Sequence, residues 1–135
     1  MCPIFQAIKG CDFQKFAKLT MQDSNQFHAI CLDTYPPCVY LNDVSHRIIN
    51  FVHQYNEACG EIRCAYTFDA GPNACLYLMD QDVGKILTIV NKILPNDNSR
   101  SVEYVKGLPI DEERLPEVIR RNKFCCILLT IFVIF

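Results

Sequence analysis

The stretch "EIRCAYTFDAGPNACLYLM", residues 61–79, contains two candidate β-strands joined by a turn. Its first half alternates, with one side formed by Ile62, Cys64, Tyr66 and Phe68, and this pattern predicts a strand over 61–69. Its second half, 73–79, is short and almost wholly apolar, which predicts a strand inside a sheet. Gly71 and Pro72 predict a tight connection between the two strands.

Helical patterns lie on both sides of this strand pair. The first covers residues 12–33, as one bent helix or two consecutive ones, with apolar positions at Phe13, Phe16, Ala17, Thr20, Phe27 and Cys31. The second covers 41–59, with an apolar face of Leu41, Val44, Ile48, Phe51, Val52, Tyr55 and Cys59. A third covers 80–94. These elements predict an α+β fold with helices on one face of a mostly antiparallel sheet.

Proline, glycine and capping residues support the predicted helix ends. Pro36 and Pro37 end the first helix, because proline removes a backbone donor and restricts the residue before it. Gly60 occupies the position of a helix C-terminal glycine. Asp80 is a candidate N-cap, and Pro95 is the stop that follows the third helix. Beyond it we expect a polar loop over 95–107 and a short helix at "LPEVIRR".

The uncharged run at 124–135 is well short of the roughly 18–20 residues of a membrane-spanning helix. A buried strand through Thr130 is the better interpretation. The remaining "IFVIF", residues 131–135, is a β-branched and aromatic terminus that we expect to be uncovered and prone to aggregation. The expected organisation is one domain over 1–130 and an atypical hydrophobic terminus over 131–135, as in a truncated or alternatively terminated product.

Charge and cysteine usage exclude several classes of function. A formal charge of -2 gives no electrostatic basis for binding nucleic acid. The nine cysteines include no C-x-x-C pair, so reduced thiols of an intracellular protein are favoured over disulfides or zinc. Four of them are predicted in the core: Cys31, Cys59, Cys64 and Cys75. His28, His46 and His53 fall in predicted helices without an H-x-x-x-H pair, which disfavours a metal site.

Asp69 is the candidate functional residue of the central stretch. On the pattern alone it is either a turn residue or a catalytic base, and the turn is the more frequent case. Gly71 would let a ligand approach the backbone, and the amides near Ala70 could form an anion-binding nest. The "DSN" at 23–25 is open to the same two interpretations, since it could be a solvated helix face.

Three segments carry a resemblance to a known family. "LTMQDSNQFHAICLDTYPPCVYLNDVS" (19–45), "RIINFVHQYN" (47–56) and "AYTFDAGPNA" (65–74) resemble the C-terminal domain of mevalonate diphosphate decarboxylase, in order and with family-like spacing. The resemblance extends from about residue 12 to 94 and returns briefly at "CCILLT". It implies the fold of the galactokinase, homoserine kinase, mevalonate kinase and phosphomevalonate kinase superfamily.

The resemblance also implies an activity. The family uses ATP and Mg²⁺ to phosphorylate mevalonate 5-diphosphate, which then loses phosphate and carbon dioxide to give isopentenyl diphosphate for sterol and other isoprenoid synthesis. Its catalytic aspartate maps onto Asp69, and we expect Ala70 and Gly71 to contact substrate. A carboxylate there could accept the proton of the tertiary hydroxyl and favour the electron-deficient carbon formed as phosphate departs. A cytoplasmic homodimer is expected, without nucleic acid or membrane as a partner.

One part of the family pattern is missing. The phosphate-binding loop and the basic residues that hold the diphosphate belong to the family's N-terminal domain, and neither G-x-x-x-x-G-K nor G-x-G-x-x-G occurs here. We therefore expect an enzyme fragment that neither binds ATP nor turns over alone. The alternative is a non-catalytic isoform or pseudoenzyme that acts as a protein-interaction module.

Overall fold

The computed structural model describes residues 2–71, 73–93 and 129–134. These residues form four α-helices, a 3-10 turn and three strands, in the order α1 (Pro3–Lys9), α2 (Phe13–Leu32), α3 (Asp43–Cys59), β1 (Cys64–Thr67), β2 (Ala74–Met79), the 3-10 turn (Asp80–Asp82), α4 (Val83–Ile93) and β3 (Leu129–Ile134). One compact unit contains α1 to α3 and the three strands, and a second contains the 3-10 turn and α4. The predicted α+β class is confirmed.

The helix α2 is a single helix of 20 residues. Asp12 caps its first turn, accepting a hydrogen bond from the Lys15 amide at 3.0 Å. The helix ends at Leu32, ahead of Pro36, as predicted. The two alternatives of a bent helix or two consecutive helices therefore resolve to one element.

The buried face of α2 differs from the predicted one. Its buried residues are Ala17, Thr20, Met21, Ser24 and His28. Phe27, a predicted apolar position, is 45% exposed. The prediction followed apolar residues, and it was wrong in the second half of the helix because polar side chains occupy the buried positions there.

The helix α3 has the ends that the sequence predicts. Asn42 and Ser45 form a capping box, and Gly60 ends the helix in the left-handed region at φ 72°. The predicted apolar face is confirmed at its centre, where Ile48 and Val52 are buried. Cys59, predicted in the core, is instead exposed, because it lies in the last turn of the helix.

One helix was not predicted from the sequence, and another begins later than predicted. The seven-residue α1 has no counterpart in the predictions; Pro3 lies in its first turn and Ala7 is buried in its contact with α2. The predicted helix over 80–94 is present as α4, but Asp80 opens a 3-10 turn rather than capping it. Helix α4 consequently begins at Val83.

The three strands form one sheet in the order β1-β2-β3. β1 and β2 are antiparallel, with Thr67 opposite Cys75, and β2 and β3 are parallel, with Cys75 opposite Thr130. The apolar β2 is therefore the inner strand of the three, as its composition predicts. Its buried residues, Ala74, Leu76 and Leu78, alternate with half-buried ones.

The C-terminal strand is shifted relative to its prediction. The expected strand stopped at Thr130 and left 131–135 uncovered, whereas β3 pairs with β2 along Leu129–Ile134. The β2 backbone supplies hydrogen-bonding partners for this β-branched segment, so most of the "IFVIF" stretch belongs to the sheet. The expectations for 94–128 (the loop, the short helix and the start of the strand) and for Phe135 lie outside the described residues.

The seven described cysteines are free thiols. Cys64 is buried, as predicted, and Cys31 and Cys75 are half-buried. Within 2–71, 73–93 and 129–134, no group of three or more His, Cys, Asp or Glu side chains could hold a metal ion. None of the helices in these ranges is long and apolar enough to cross a bilayer.

Candidate active site

Within 2–71, 73–93 and 129–134, the backbone along the outer edge of β1 is hydrogen-bonded by side chains of α2 and α3. At its start, the Gln14 carboxamide donates from Nε2 to the Ile62 carbonyl at 2.8 Å and accepts from the Ile62 amide at 3.0 Å. Both backbone groups of Ile62, two residues before β1, are thus satisfied by one side chain, as a neighbouring strand would satisfy them.

Asn56 of α3 forms the same arrangement one step further along the strand. Its Nδ2 donates to the Cys64 carbonyl at 2.7 Å, and its Oδ1 accepts from the amides of Arg63 and Cys64 at 2.8 and 2.9 Å. Asn56 is only 8% exposed. A polar residue is tolerated in the core here because each of its hydrogen-bonding groups has a backbone partner.

At the far end of the edge, two α2 side chains together hydrogen-bond the backbone of Phe68. The Phe68 amide donates to Ser24 Oγ at 3.1 Å, and His28 Nε2 lies 3.2 Å from the Phe68 carbonyl oxygen. A carbonyl oxygen can only accept, so the Nε2 atom of His28 carries the proton. All three residues are buried.

Between these anchors, Tyr66 connects the strand to both helices. Its hydroxyl donates to Asn25 Oδ1 of α2 at 3.1 Å. The same hydroxyl is 3.3 Å from His53 Nε2 of α3. Since the single hydroxyl proton goes to Asn25, His53 is the donor in the second bond. The end of β1 is therefore held on α2 and α3 by side-chain as well as backbone contacts.

Asp69 follows this anchored segment and is exposed. Its carbonyl oxygen accepts from the Gly71 amide at 2.8 Å, which closes a tight turn directly after the strand. Ala70 is exposed and Gly71 is half-buried. The structure thus brings together the predicted residues Asp69, Ala70 and Gly71 at the end of β1.

Gly71 does not need the conformational freedom of glycine. Its φ lies outside the left-handed region, and a Cβ built on it would meet nothing within 4 Å. The space beside the Gly71 backbone is open to a ligand, which is compatible with the expected substrate contact. That contact, and the one expected at Ala70, stay predictions.

Two titratable side chains of β2, Cys75 and Tyr77, interact with each other, and the first of them also interacts with Asp69. Burial raises the pKa of the Cys75 thiol; a hydrogen bond with Tyr77 opposes that shift, and the negative charge of Asp69 adds to it. Burial also raises the pKa of the Tyr77 phenol, with a further contribution from Cys75. The charge of Asp69 therefore acts on the half-buried thiol of Cys75.

This interaction predicts a change in thiol reactivity. The thiolate is the reactive form and burial raises the pKa of Cys75, so alkylation of Cys75 by iodoacetamide should be slow at neutral pH. Asp69→Asn removes a charge that raises the Cys75 pKa, so the Cys75 alkylation profile should move to lower pH while that of Cys59 stays in place. Peptide mass spectrometry after timed alkylation measures both. An unmoved Cys75 profile would show that Asp69 does not act on the thiol.

Comparison with known proteins gives the family. A family model of the mevalonate 5-diphosphate decarboxylase C-terminal domain matches residues 1–126. The chain belongs to the mevalonate 5-diphosphate decarboxylase family. Diphosphomevalonate decarboxylase of Danio rerio is 50% identical over 119 residues, which cover 88% of this chain and 30% of that protein.

Solved structures agree with this family membership. The crystal structure of mevalonate 5-diphosphate decarboxylase at 2.3 Å resolution is 36% identical, with a TM-score of 0.64, over 89% of this chain and 34% of that one. The structure of MDDEF in complex with MVAPP is 25% identical, with a TM-score of 0.58, over 66% of this chain and 27% of that one. The chain thus spans about a third of the decarboxylases that it matches.

Within this decarboxylase-family domain, the "DSN" segment is not a solvated helix face. Asp23 and Asn25 are exposed, but Ser24 is buried and bonded to the Phe68 amide. His28, which the sequence suggested only as a helix residue, lies one turn further on the same face. The available signal was spacing, because Ser24 and His28 continue the face of Ala17 and Met21 at intervals of three and four residues.

Proposed function

We propose that this chain supplies the catalytic carboxylate of an ATP-dependent decarboxylase that converts mevalonate 5-diphosphate to isopentenyl diphosphate. In this proposal Asp69 orients the tertiary hydroxyl of the substrate and accepts its proton. The observation that carries the proposal is an exposed carboxylate that directly follows a buried and hydrogen-bonded strand end. A base needs access to substrate and a fixed position, and this arrangement supplies both.

The chemistry of the proposed reaction also favours a carboxylate at this position. A negative charge beside the reacting carbon stabilises the electron-deficient centre that develops as phosphate departs. Ala70 and Gly71 lie next to that carboxylate, with open space beside Gly71, and are proposed to border the substrate. The solved structure of MDDEF in complex with MVAPP supports this substrate class for the family.

ATP and Mg²⁺ do not fit the described residues of this chain alone. Those residues contain no cluster of three or more metal-ligating side chains. The sequence also has no phosphate-binding glycine loop. We propose, from the family resemblance, that the nucleotide and its metal bind the part of the family polypeptide that this chain does not match. The resemblance further supports a homodimeric, cytoplasmic enzyme as part of the same proposal.

A composite enzyme tests the proposed function. In it, residues 1–126 replace the matching region of the Danio rerio decarboxylase. We expect the composite to release carbon dioxide from mevalonate 5-diphosphate in the presence of ATP. The chain by itself should neither retain ATP in equilibrium dialysis nor release carbon dioxide. The reason is that phosphoryl transfer depends on positioning and charge neutralisation. Turnover by the chain alone would show that the nucleotide site has been assigned to the wrong part of the enzyme.

A protein-interaction module is the second candidate function. It is favoured by large apolar side chains that are exposed on α1, on the second half of α2 and on the segment after it: Phe5, Ile8, Phe27, Ile30, Leu32, Tyr35 and Val39. In the decarboxylase proposal other parts of the enzyme would cover such residues, and in the alternative a separate protein would. A composite enzyme that folds and binds ATP but releases no carbon dioxide would favour the alternative.

A further inference from the structure

We propose that Ser24 and His28 are positioning residues for Asp69, acting through the backbone of Phe68. The inference rests on the proposed function, because it assigns to these residues the placement of the proposed base. Both side chains are buried, with Ser24 2% and His28 6% exposed. Their effect on Asp69 would pass through the peptide group between Phe68 and Asp69.

The covalent geometry of that peptide explains the effect. The Phe68 carbonyl oxygen and the Asp69 nitrogen belong to one planar unit, so the hydrogen bond from His28 to that oxygen fixes the plane from which Asp69 begins. Ser24 holds the amide on the other side of Phe68. With both groups fixed, the direction of the Asp69 Cα–Cβ bond is limited to rotation about the dihedrals of Asp69 itself.

Burial makes these two bonds difficult to replace. Phe68 is 4% exposed, so water cannot readily take the place of a lost side-chain partner. Asp69 itself is exposed, and its carbonyl oxygen accepts from the Gly71 amide. In this proposal, the placement of the Asp69 carboxylate comes from the anchored backbone of the residue that precedes it.

The opposite end of the same edge offers a matched control. Gln14 makes two hydrogen bonds to the Ile62 backbone, of the same kinds as those made jointly by Ser24 and His28 to Phe68. Both sets bind α2 to β1, but only the Phe68 set adjoins Asp69. The Gln14 contacts are exposed and the Phe68 contacts are buried, so thermal unfolding is measured beside kcat. A purely structural role would lower stability without a selective loss of kcat in the folded enzyme.

The test measures kcat, KM and thermal unfolding of the composite enzyme with His28→Leu, Ser24→Ala or Gln14→Ala. His28→Leu and Ser24→Ala should each lower kcat by about 10-fold, with KM for mevalonate 5-diphosphate changed by less than about twofold, because a displaced base loses alignment more than binding. Gln14→Ala should leave kcat within about twofold of the parent. His28→Gln, which keeps an N–H donor of similar reach, should recover most of the lost rate.

A double variant separates failure of this inference from failure of the proposed function. In the Asp69→Asn background, His28→Leu should lower kcat no further than about twofold, since the residue through which it acts is already removed. A further 10-fold loss there, or equal kcat values for His28→Leu and Gln14→Ala, would overturn the positioning role while leaving Asp69 as the base. Near-parent kcat for Asp69→Asn alone would overturn both. If His28→Leu does not fold, Ser24→Ala and its double variant with Asp69→Asn decide the question by the same comparisons.

Discussion

Asp69→Asn in the composite enzyme is expected to lower kcat by at least about two orders of magnitude. Asparagine keeps the size and much of the hydrogen-bonding capacity of aspartate but cannot accept the hydroxyl proton. General-base contributions run to about 10²–10⁴-fold, and loss of the negative charge beside the developing cation adds to that. Single-turnover and steady-state assays of carbon dioxide release measure the loss.

The controls for this substitution follow from its exposure. Asp69 lies on the surface of the described chain, so the variant should melt near the parent temperature and bind ATP normally. Asp23→Asn, which removes another exposed carboxylate, should leave kcat unchanged. A near-normal kcat for Asp69→Asn would show that Asp69 is a turn residue and not the catalytic base.

Leu76→Ala should cause a large loss of stability without touching the site. Leu76 is fully buried in β2, the strand that pairs with both β1 and β3. Truncating such a side chain costs about 3 kcal/mol, from lost transfer free energy and the cavity left behind. Hydrogen exchange of the β2 amides in the full 135-residue chain, under conditions where exchange reports the opening equilibrium, should accelerate by about 100-fold.

Leu32→Ala is the matched control for this loss, because the same side chain is 57% exposed at the end of α2. It should change the unfolding free energy by less than about 0.5 kcal/mol. Equal acceleration of exchange in the two variants would contradict the assignment of Leu76 to the core.

Local signals account for the parts of the fold that the sequence predicts correctly. The alternation of Tyr66 and Phe68, the capping box at Asn42 and the left-handed Gly60 are each properties of a few adjacent residues. The position of Asp69 after a strand follows from the same kind of pattern. The catalytic role proposed for Asp69 comes from the family resemblance, since a carboxylate in a turn is usually only a turn residue.

The parts that were missed depend on contacts between distant residues. Ser24 and His28 are polar, and only the partner atoms on Phe68, 40 or more positions away, make their burial favourable. The strand β3 pairs in parallel with β2 across a long intervening segment, so nothing local fixes where it starts. The helix α1 is seven residues long and too short to show a periodic pattern.

The contacts along the edge of β1 limit the number of residues that can lie between their two ends. Gln14 and His28 are about 21 Å apart along the helix axis, and Ile62 and Phe68 are about 20 Å apart along the strand. Adding or deleting one residue in 63–67 would force a bulge or break one set of contacts, and would turn the following side chains to the opposite face. Side-chain substitutions on this strand should therefore be tolerated more readily than an insertion or deletion, because the length of the strand sets the backbone register at Asp69.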